Sequence, residues 1–221
     1  LTITDIRVTI CICTHDRPQG LTQLLVTLQD IDLRGYSPDS IDLIVVDNRP
    51  NPETRMICKQ AAPRLPIPIQ YFEEREPGVT YARNRAVAIG LERGADFLAF
   101  IDDDDHPRPD WLIRLLDRQI VTRADMVFGT WLLDKEMPQW ARDSGIFRSP
   151  NRSKQHKKSG RYGLPHCAST CNMLASREIL ERVSAVGPVF AHEFGDSGGE
   201  DRLLGDAGFL FDAYPVPSSP F

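Results

Sequence analysis

From its first strand to residue 131 the chain switches repeatedly between two spacings of apolar residues. Val8, Ile10 and Ile12 alternate, the period of a strand with one face turned to a core. Leu21, Leu24, Leu25, Leu28 and Ile31 then fall on one helical face. Ile41 to Val46 is a short, nearly continuous apolar run. Asn51 before Pro52 supplies an N-cap and a first-turn proline, and that helix should stop before Pro63. Ile67 to Phe72 reads as a strand. Val79, Ala82, Ala86 and Ile89 read as a helix closed by Gly94. Phe97 to Ile101 is a further apolar strand, Pro109 opens a helix faced by Trp111, Leu112, Leu115 and Leu116, and Met126 to Trp131 is a strand. Such alternation predicts an α/β fold, a mostly parallel sheet flanked by helices on both faces. Ligands of such sheets bind beyond the carboxyl ends of the strands. Three polar clusters fall at those ends: Thr14 to Arg17, Asp47-Asn48, and Asp102 to Asp105.

The composition supports a packed core and narrows the partners. Of 221 residues, 41% are apolar and 26% charged, enough apolar side chain to exclude global disorder. Lys and Arg number 26 against 31 Asp and Glu, a formal charge of -5, which argues against a nucleic-acid partner. No run of 18 apolar residues predicts a membrane span, and no basic-then-apolar leader precedes Val8. The expected location is the cytoplasm, free or peripheral at the inner face of the membrane. The five cysteines form no disulfide framework. Cys167 and Cys171, with His166 alongside, lack the second ligand pair of a structural zinc site. Cys11 and Cys13 alternate on a strand and should share one face as small buried side chains.

The second half is less regular. No acidic residue occurs between Ser144 and Arg177, while Arg148, Arg152, Lys154, Lys157, Lys158 and Arg161 do. That stretch is either a solvated loop or one that closes on an anionic ligand. Ser176 to Ala185 predicts a helix, Glu200 to Asp206 a short helix after Gly198-Gly199, and Phe209 to Phe211 a strand. A single domain over 1–221 is expected, with a nucleotide-binding half to about 105, an acceptor-binding half to about 212 and an irregular tail over 213–221.

The sharpest chemical feature is Asp102-Asp103-Asp104-Asp105 at the end of an apolar strand. Two carboxylates ~4 Å apart repel by roughly 4 kcal/mol at an effective dielectric of 20, so the run needs an offset. Mg²⁺ or Mn²⁺, hard ions that prefer carboxylate oxygens, would supply one. In an extended strand Asp102 and Asp104 would face one site together. The alternative is a solvated acidic turn. An EF-hand loop is a poor fit, because the glycine and the twelfth-position glutamate are not where that loop needs them.

The flanking motifs separate these readings. In order they are Thr14-His15-Asp16-Arg17-Pro18 after the first strand, Val45-Val46-Asp47-Asn48, and Tyr81-Ala82-Arg83-Asn84-Arg85. The tetrad, Pro109-Asp110-Trp111-Leu112 and Gly199-Glu200-Asp201 follow. This series resembles the family 2 glycosyltransferases of GT-A fold, a Rossmann-like architecture, over residues 7 to 212. The resemblance implies a donor site for a nucleoside diphosphate sugar. Thr14, His15 and Arg17 would line its nucleotide pocket, Asp47 would contact the base, and Arg83 would lie near the nucleotide or diphosphate. Asp102 to Asp104 matches the family's Asp-x-Asp motif. Asp104 would be the main metal ligand, with Asp102 or Asp103 holding ribose or a metal-bound water. Asp201 would be the general base of an inverting displacement, and Glu200 and Asn172 would contact the acceptor, a sugar, a lipid-linked group or another hydroxyl compound.

Two departures from the family pattern bear on this. Where the family often has a glycine before Asn172, this chain has Cys171. The Gln-x-x-Arg-Trp motif of processive synthases does not follow Asp201, so transfer of one sugar per visit is expected. Two competing readings make different demands. A nucleotidyltransferase would want a Gly-rich phosphate loop after the first strand, where the only nearby glycine is Gly20. A non-catalytic nucleotide-sugar-binding scaffold would predict a broken metal or base motif, and both motifs are intact.

Overall fold

The computed structural model describes residues 6–129, 170–192 and 213–215. Seven strands form one sheet: β1 (Val8–Thr14), β2 (Ile41–Asp47), β3 (Ile69–Glu73), β4 (Phe97–Asp102), β5 (Met126–Phe128), β6 (Asn172–Ser176) and β7 (Ala213–Pro215). Their spatial order is β3-β2-β1-β4-β6-β5-β7. β1, β2, β3 and β4 are mutually parallel, and β6 runs antiparallel to both β4 and β5. The helices are α1 (Pro18–Thr27), α2 (Pro52–Ala61), α3 (Val79–Glu92), α4 (Trp111–Thr122) and α5 (Arg177–Ser184).

The strands sort their side chains by the period of two. Val8, Ile10 and Ile12 of β1, Leu43 and Val45 of β2, and Ala99 and Ile101 of β4 enter one core, with Leu21, Leu24 and Leu25 of α1 and Leu112, Leu115 and Leu116 of α4. Cys11, Ile44, Val46, Leu98 and Phe100 enter a second core with Ala82, Ala86 and Val87 of α3 and Ile179 and Leu180 of α5. Cys11 and Cys13 share that second face, as the alternation predicts. Buried on both sides, the central strands read as continuous apolar runs.

Chain direction explains which face each helix covers. The path β1–α1–β2–α2–β3 steps outward with its helices on one face. The return from β3 over β2 and β1 to β4 must cross on the other face to keep the same hand, and α3 does so. The strand order therefore switches beside β1, and the carboxyl ends of β1, β2 and β4 share one edge. Register places Thr14 beside Asp47 and Cys13 beside Asp102.

Local signals mostly act as expected. The Asn51 side chain caps α2 by accepting from the Thr54 amide at 2.9 Å. Gly94, at φ +81°, follows the end of α3. Pro109 lies two residues ahead of α4, and Asp110 at that N-cap accepts from Arg114 at 3.0 Å instead of capping. The sequence reading missed β6. In the expected irregular tail, 213–215 forms β7 beside β5. The stretch 148–161, the helix expected at Glu200 to Asp206 and the strand expected at Phe209 to Phe211 lie outside the described residues.

Candidate functional site

At the switch point the end of β1, the start of α1 and the turn after β4 meet. The Thr14 hydroxyl, buried, donates to Asp103 Oδ2 at 2.6 Å. Arg17 Nη1 bridges Asp103 Oδ1 at 3.3 Å and Asp104 Oδ2 at 2.7 Å. Two residues from separate ends of the sequence cluster thus hold the middle of the aspartate run. Gly20, on the first turns of α1, makes this approach possible: a Cβ there would lie 2.9 Å from the Asp103 carbonyl oxygen.

The expected side-by-side placement of Asp102 and Asp104 required the strand to stay extended, and it does not. β4 ends at Asp102, and the Asp105 amide donates back to the Asp102 carbonyl at 3.2 Å, closing a turn. Asp103 and Asp104 therefore share Arg17, while Asp102 faces α3, where Arg83 Nη2 donates to its Oδ1 at 3.4 Å. Asp105 turns back and accepts from the Asp102 amide at 3.3 Å.

Crowding shows in the protonation equilibria. Burial raises Asp102 above the usual carboxylate range, and Arg83 pulls it partly back. Burial also raises Asp103, opposed by the Thr14 hydrogen bond and Arg17. Asp105 is pushed up to about 7, by burial first and then by the Asp102 charge. The same carboxylates, Asp103 foremost, raise the Arg17 guanidinium.

Beside the tetrad lies a cleft of about 560 Å³ lined by His15, Asn48, Arg49, Pro50, Arg75 and Pro77. His15 lines this cleft. Asp47 is fully buried beneath it, its carboxylate accepting from the Arg49 amide at 3.0 Å, the Asn51 amide at 3.4 Å and the Tyr71 hydroxyl at 3.0 Å. A carboxylate at a strand end is cheapest when the next loop's amides satisfy it, and Asp47 shapes that loop. Asn48 forms the wall instead. Its Nδ2 donates to the Glu76 carbonyl at 2.6 Å and its Oδ1 accepts from the Gly78 amide at 2.9 Å, stitching the β2 end to the turn before α3. Asp16, at φ +56°, pairs with Arg49 at 2.9 Å and joins the loops after β1 and β2.

Asn172 opens β6, and its Oδ1 accepts from Trp111 Nε1 at 2.9 Å. Gly129 backs it so closely that a Cβ there would come within 2 Å of Asn172 Oδ1, at 1.9 Å. Cys171 is buried. Thr14, Arg17, Arg83, Asp102, Asp103 and Asp104 thus form one cluster, with His15 on the adjoining cleft. Glu200 and Asp201 lie outside the described residues. Arg49, Arg75 and Pro77 escaped the sequence reading because they sit in turns without a motif of their own. Trp111 reads in the sequence as a helix-face residue and as part of the Pro109–Leu112 motif, neither of which assigns it a partner.

Similarity to known proteins agrees with this geometry. The family model described as glycosyl transferase family 2 matches residues 9–184. The succinoglycan biosynthesis protein ExoM of Rhizobium meliloti (strain 1021) is 32% identical over 200 residues, 89% of this chain and 59% of that protein. The chain thus spans less than two thirds of that relative's length. Among solved structures, S. aureus TarS 1-349 in complex with UDP superposes with a TM-score of 0.70 at 17% identity, over 97% of this chain and 59% of that one. The mannosyltransferase PcManGT from Pyrobaculum calidifontis, in complex with GDP-Man and Mn²⁺, does so with a TM-score of 0.63 at 18% identity, over 96% of this chain and 55% of the other. These likenesses mark the fold as GT-A. Matched by the family model over most of its length, with the switch-point cluster in place, the chain belongs to glycosyl transferase family 2.

Proposed function

We propose that the chain transfers one sugar from a nucleoside diphosphate sugar to an acceptor hydroxyl, with inversion, in polysaccharide biosynthesis. The observation that carries this reading is the meeting of Thr14, Arg17, Arg83 and the tetrad beside a cleft edged by His15, Asn48, Arg49 and Arg75. A cationic, partly apolar cleft suits a base and its anionic phosphates. In this reading His15, Asn48, Arg49 and Arg75 border the base, braced from below by Asp47. The nucleotide half extends to about residue 105, the acceptor half follows it, and Asn172 and Glu200 face the acceptor. TarS solved with UDP-GlcNAc and PcManGT solved with GDP-Man support a nucleotide-sugar donor.

The tetrad's donor set fits Mg²⁺ or Mn²⁺. Its oxygens are hard, and Asp104 is open to solvent, with 60% of its side chain exposed. Among the described residues no group of three His, Cys, Asp or Glu side chains could hold an ion. That suits an ion taking one or two protein carboxylates and completing its shell with phosphate and water. Asp104 would hold it, with Asp102 or Asp103 holding a metal-bound water or the ribose. Once bound, it would neutralise charge on the departing diphosphate. Arg17, freed from Asp104, would turn toward the phosphates. Asp201 would take the acceptor's proton on the face opposite the leaving group, giving inversion in a single displacement. Among the described residues no helix is long and apolar enough to cross a membrane.

Transfer assays and calorimetry test this. Asp104→Ala should abolish Mn²⁺-stimulated donor hydrolysis and transfer. Asp201→Asn should keep donor affinity while losing transfer. Full activity of the Asp104 variant without metal, or equal loss of donor binding in the Asp201 variant, overturns the assignment.

A further inference from the structure

The motif Arg83-Asn84 presents two side chains from α3, and both meet one residue, Phe190. Asn84 Nδ2 donates to the Phe190 carbonyl at 2.7 Å, and Asn84 Oδ1 accepts from the Phe190 amide at 3.0 Å. A side-chain amide satisfying both backbone groups of one residue works as a surrogate strand partner for a residue outside the sheet. The Phe190 ring, fully buried, lies under the Arg83 guanidinium at 5.8 Å and meets Phe100 of β4 edge-to-face at 5.7 Å. Arg83, with 7% of its side chain exposed, reaches Asp102. A second tether follows two residues on, where His192 stacks on Tyr81 with centroids 4.1 Å apart.

We propose that Asn84 and Phe190 are positioning residues that fix Arg83 against Asp102, so that the carboxylate is set before any ligand arrives. The physical reason is entropic. Arg has a long, rotamer-rich side chain, and holding it in one geometry costs conformational entropy. A ring beneath the guanidinium and a clamped backbone beneath the ring meet that cost during folding. Asn84 acts at one remove: it touches neither Asp102 nor Arg83's charged end, and it holds the platform on which that end rests. The clamp itself is independent of the glycosyltransferase reading. Its effect on the reaction rests on that reading.

Two readouts keep the clamp and the reading apart. In ligand-free protein, NMR of the Arg83 guanidinium should show a ring-current-shifted Nε–H signal. Asn84→Ala and Phe190→Leu should both move it toward the random-coil position. Phe190→Leu keeps the backbone groups that Asn84 clamps and removes the ring, so it reports the ring's part. With UDP and Mn²⁺ as probe, Asn84→Ala should weaken binding on the order of tenfold, the loss of about one charge-assisted hydrogen bond. In an Arg83→Ala background the same change should cost nothing further. A purely structural Asn84 would instead weaken binding equally in both backgrounds. An unmoved Arg83 signal, or an additive double variant, overturns the proposal. Absence of nucleotide binding in the unmodified protein, with the signal moving as stated, overturns the donor reading and leaves the clamp standing.

Discussion

Asn172 illustrates how a single side chain is held from two directions. Trp111 Nε1 fixes its carbonyl end, and Gly129 supplies the space in which that end sits. The family's glycine precedes this asparagine. Here Cys171 occupies that position and is buried, and the room comes from Gly129 across the β5–β6 pair. Gly129→Ala should therefore evict Asn172 and leave the nearly buried indole N–H without its partner. The expected cost is about 1–3 kcal/mol in urea denaturation, with a raised acceptor KM and little change in donor affinity. Conversely, Trp111→Phe should raise the same KM while costing less stability, since only the N–H is lost.

Between elements, the turns that wall the cleft depend on Asn48. It sits at the end of β2 and is nine-tenths buried or more, at 6% exposure, while bonding to the segment that leads into α3. Asn48→Ala should cost roughly 1–3 kcal/mol and weaken nucleoside diphosphate binding, because buried amide and carbonyl groups lose their partners. Urea melts and calorimetry check both. Strands β1, β2 and β4 were legible in the sequence because burial on both faces makes them near-continuous apolar runs, while the edge strand β3, partly exposed, was legible only as a β-prone stretch after Pro68. Their shared polarity made the edge legible too, since parallel strands bring all carboxyl ends together. β6 was not: Asn-Met-Leu-Ala-Ser is short and lacks β-branched residues, so packing between β4 and β5 sets its conformation. The pairing of Asp103 and Asp104 through Arg17 was hidden for a related reason. Periodicity describes strands, and the tetrad is mostly turn.

Across the whole molecule the tetrad imposes a pH signature. Asp105 titrates near 7 when folded, against about 4 unfolded, and Asp102 and Asp103 are raised too. In that window the folded state binds more protons than the unfolded one. Stability contributed by these groups is full below about pH 4 and is lost as pH rises through 7. Glu73, lowered by Arg75 and Arg55, acts in the opposite sense and on the surface. Asp105→Asn isolates the effect. In metal-free buffer its advantage over the parent should be near zero at about pH 3 and on the order of 1–2 kcal/mol at about pH 8, a melting difference of a few degrees. Added Mn²⁺ should shrink that gap if the cation relieves the same repulsion.

The sheet's order has a consequence for synthesis. β4 pairs with β6, not with the strand that follows it in the chain. A growing polypeptide that has already stacked β1 to β4 must therefore wait, with the outer rim of β4 bare, until Asn172 to Ser176 leave the ribosome. During that pause the row of free amides and carbonyls is open to pairing with other chains, which makes this rim the point where nascent chains would aggregate.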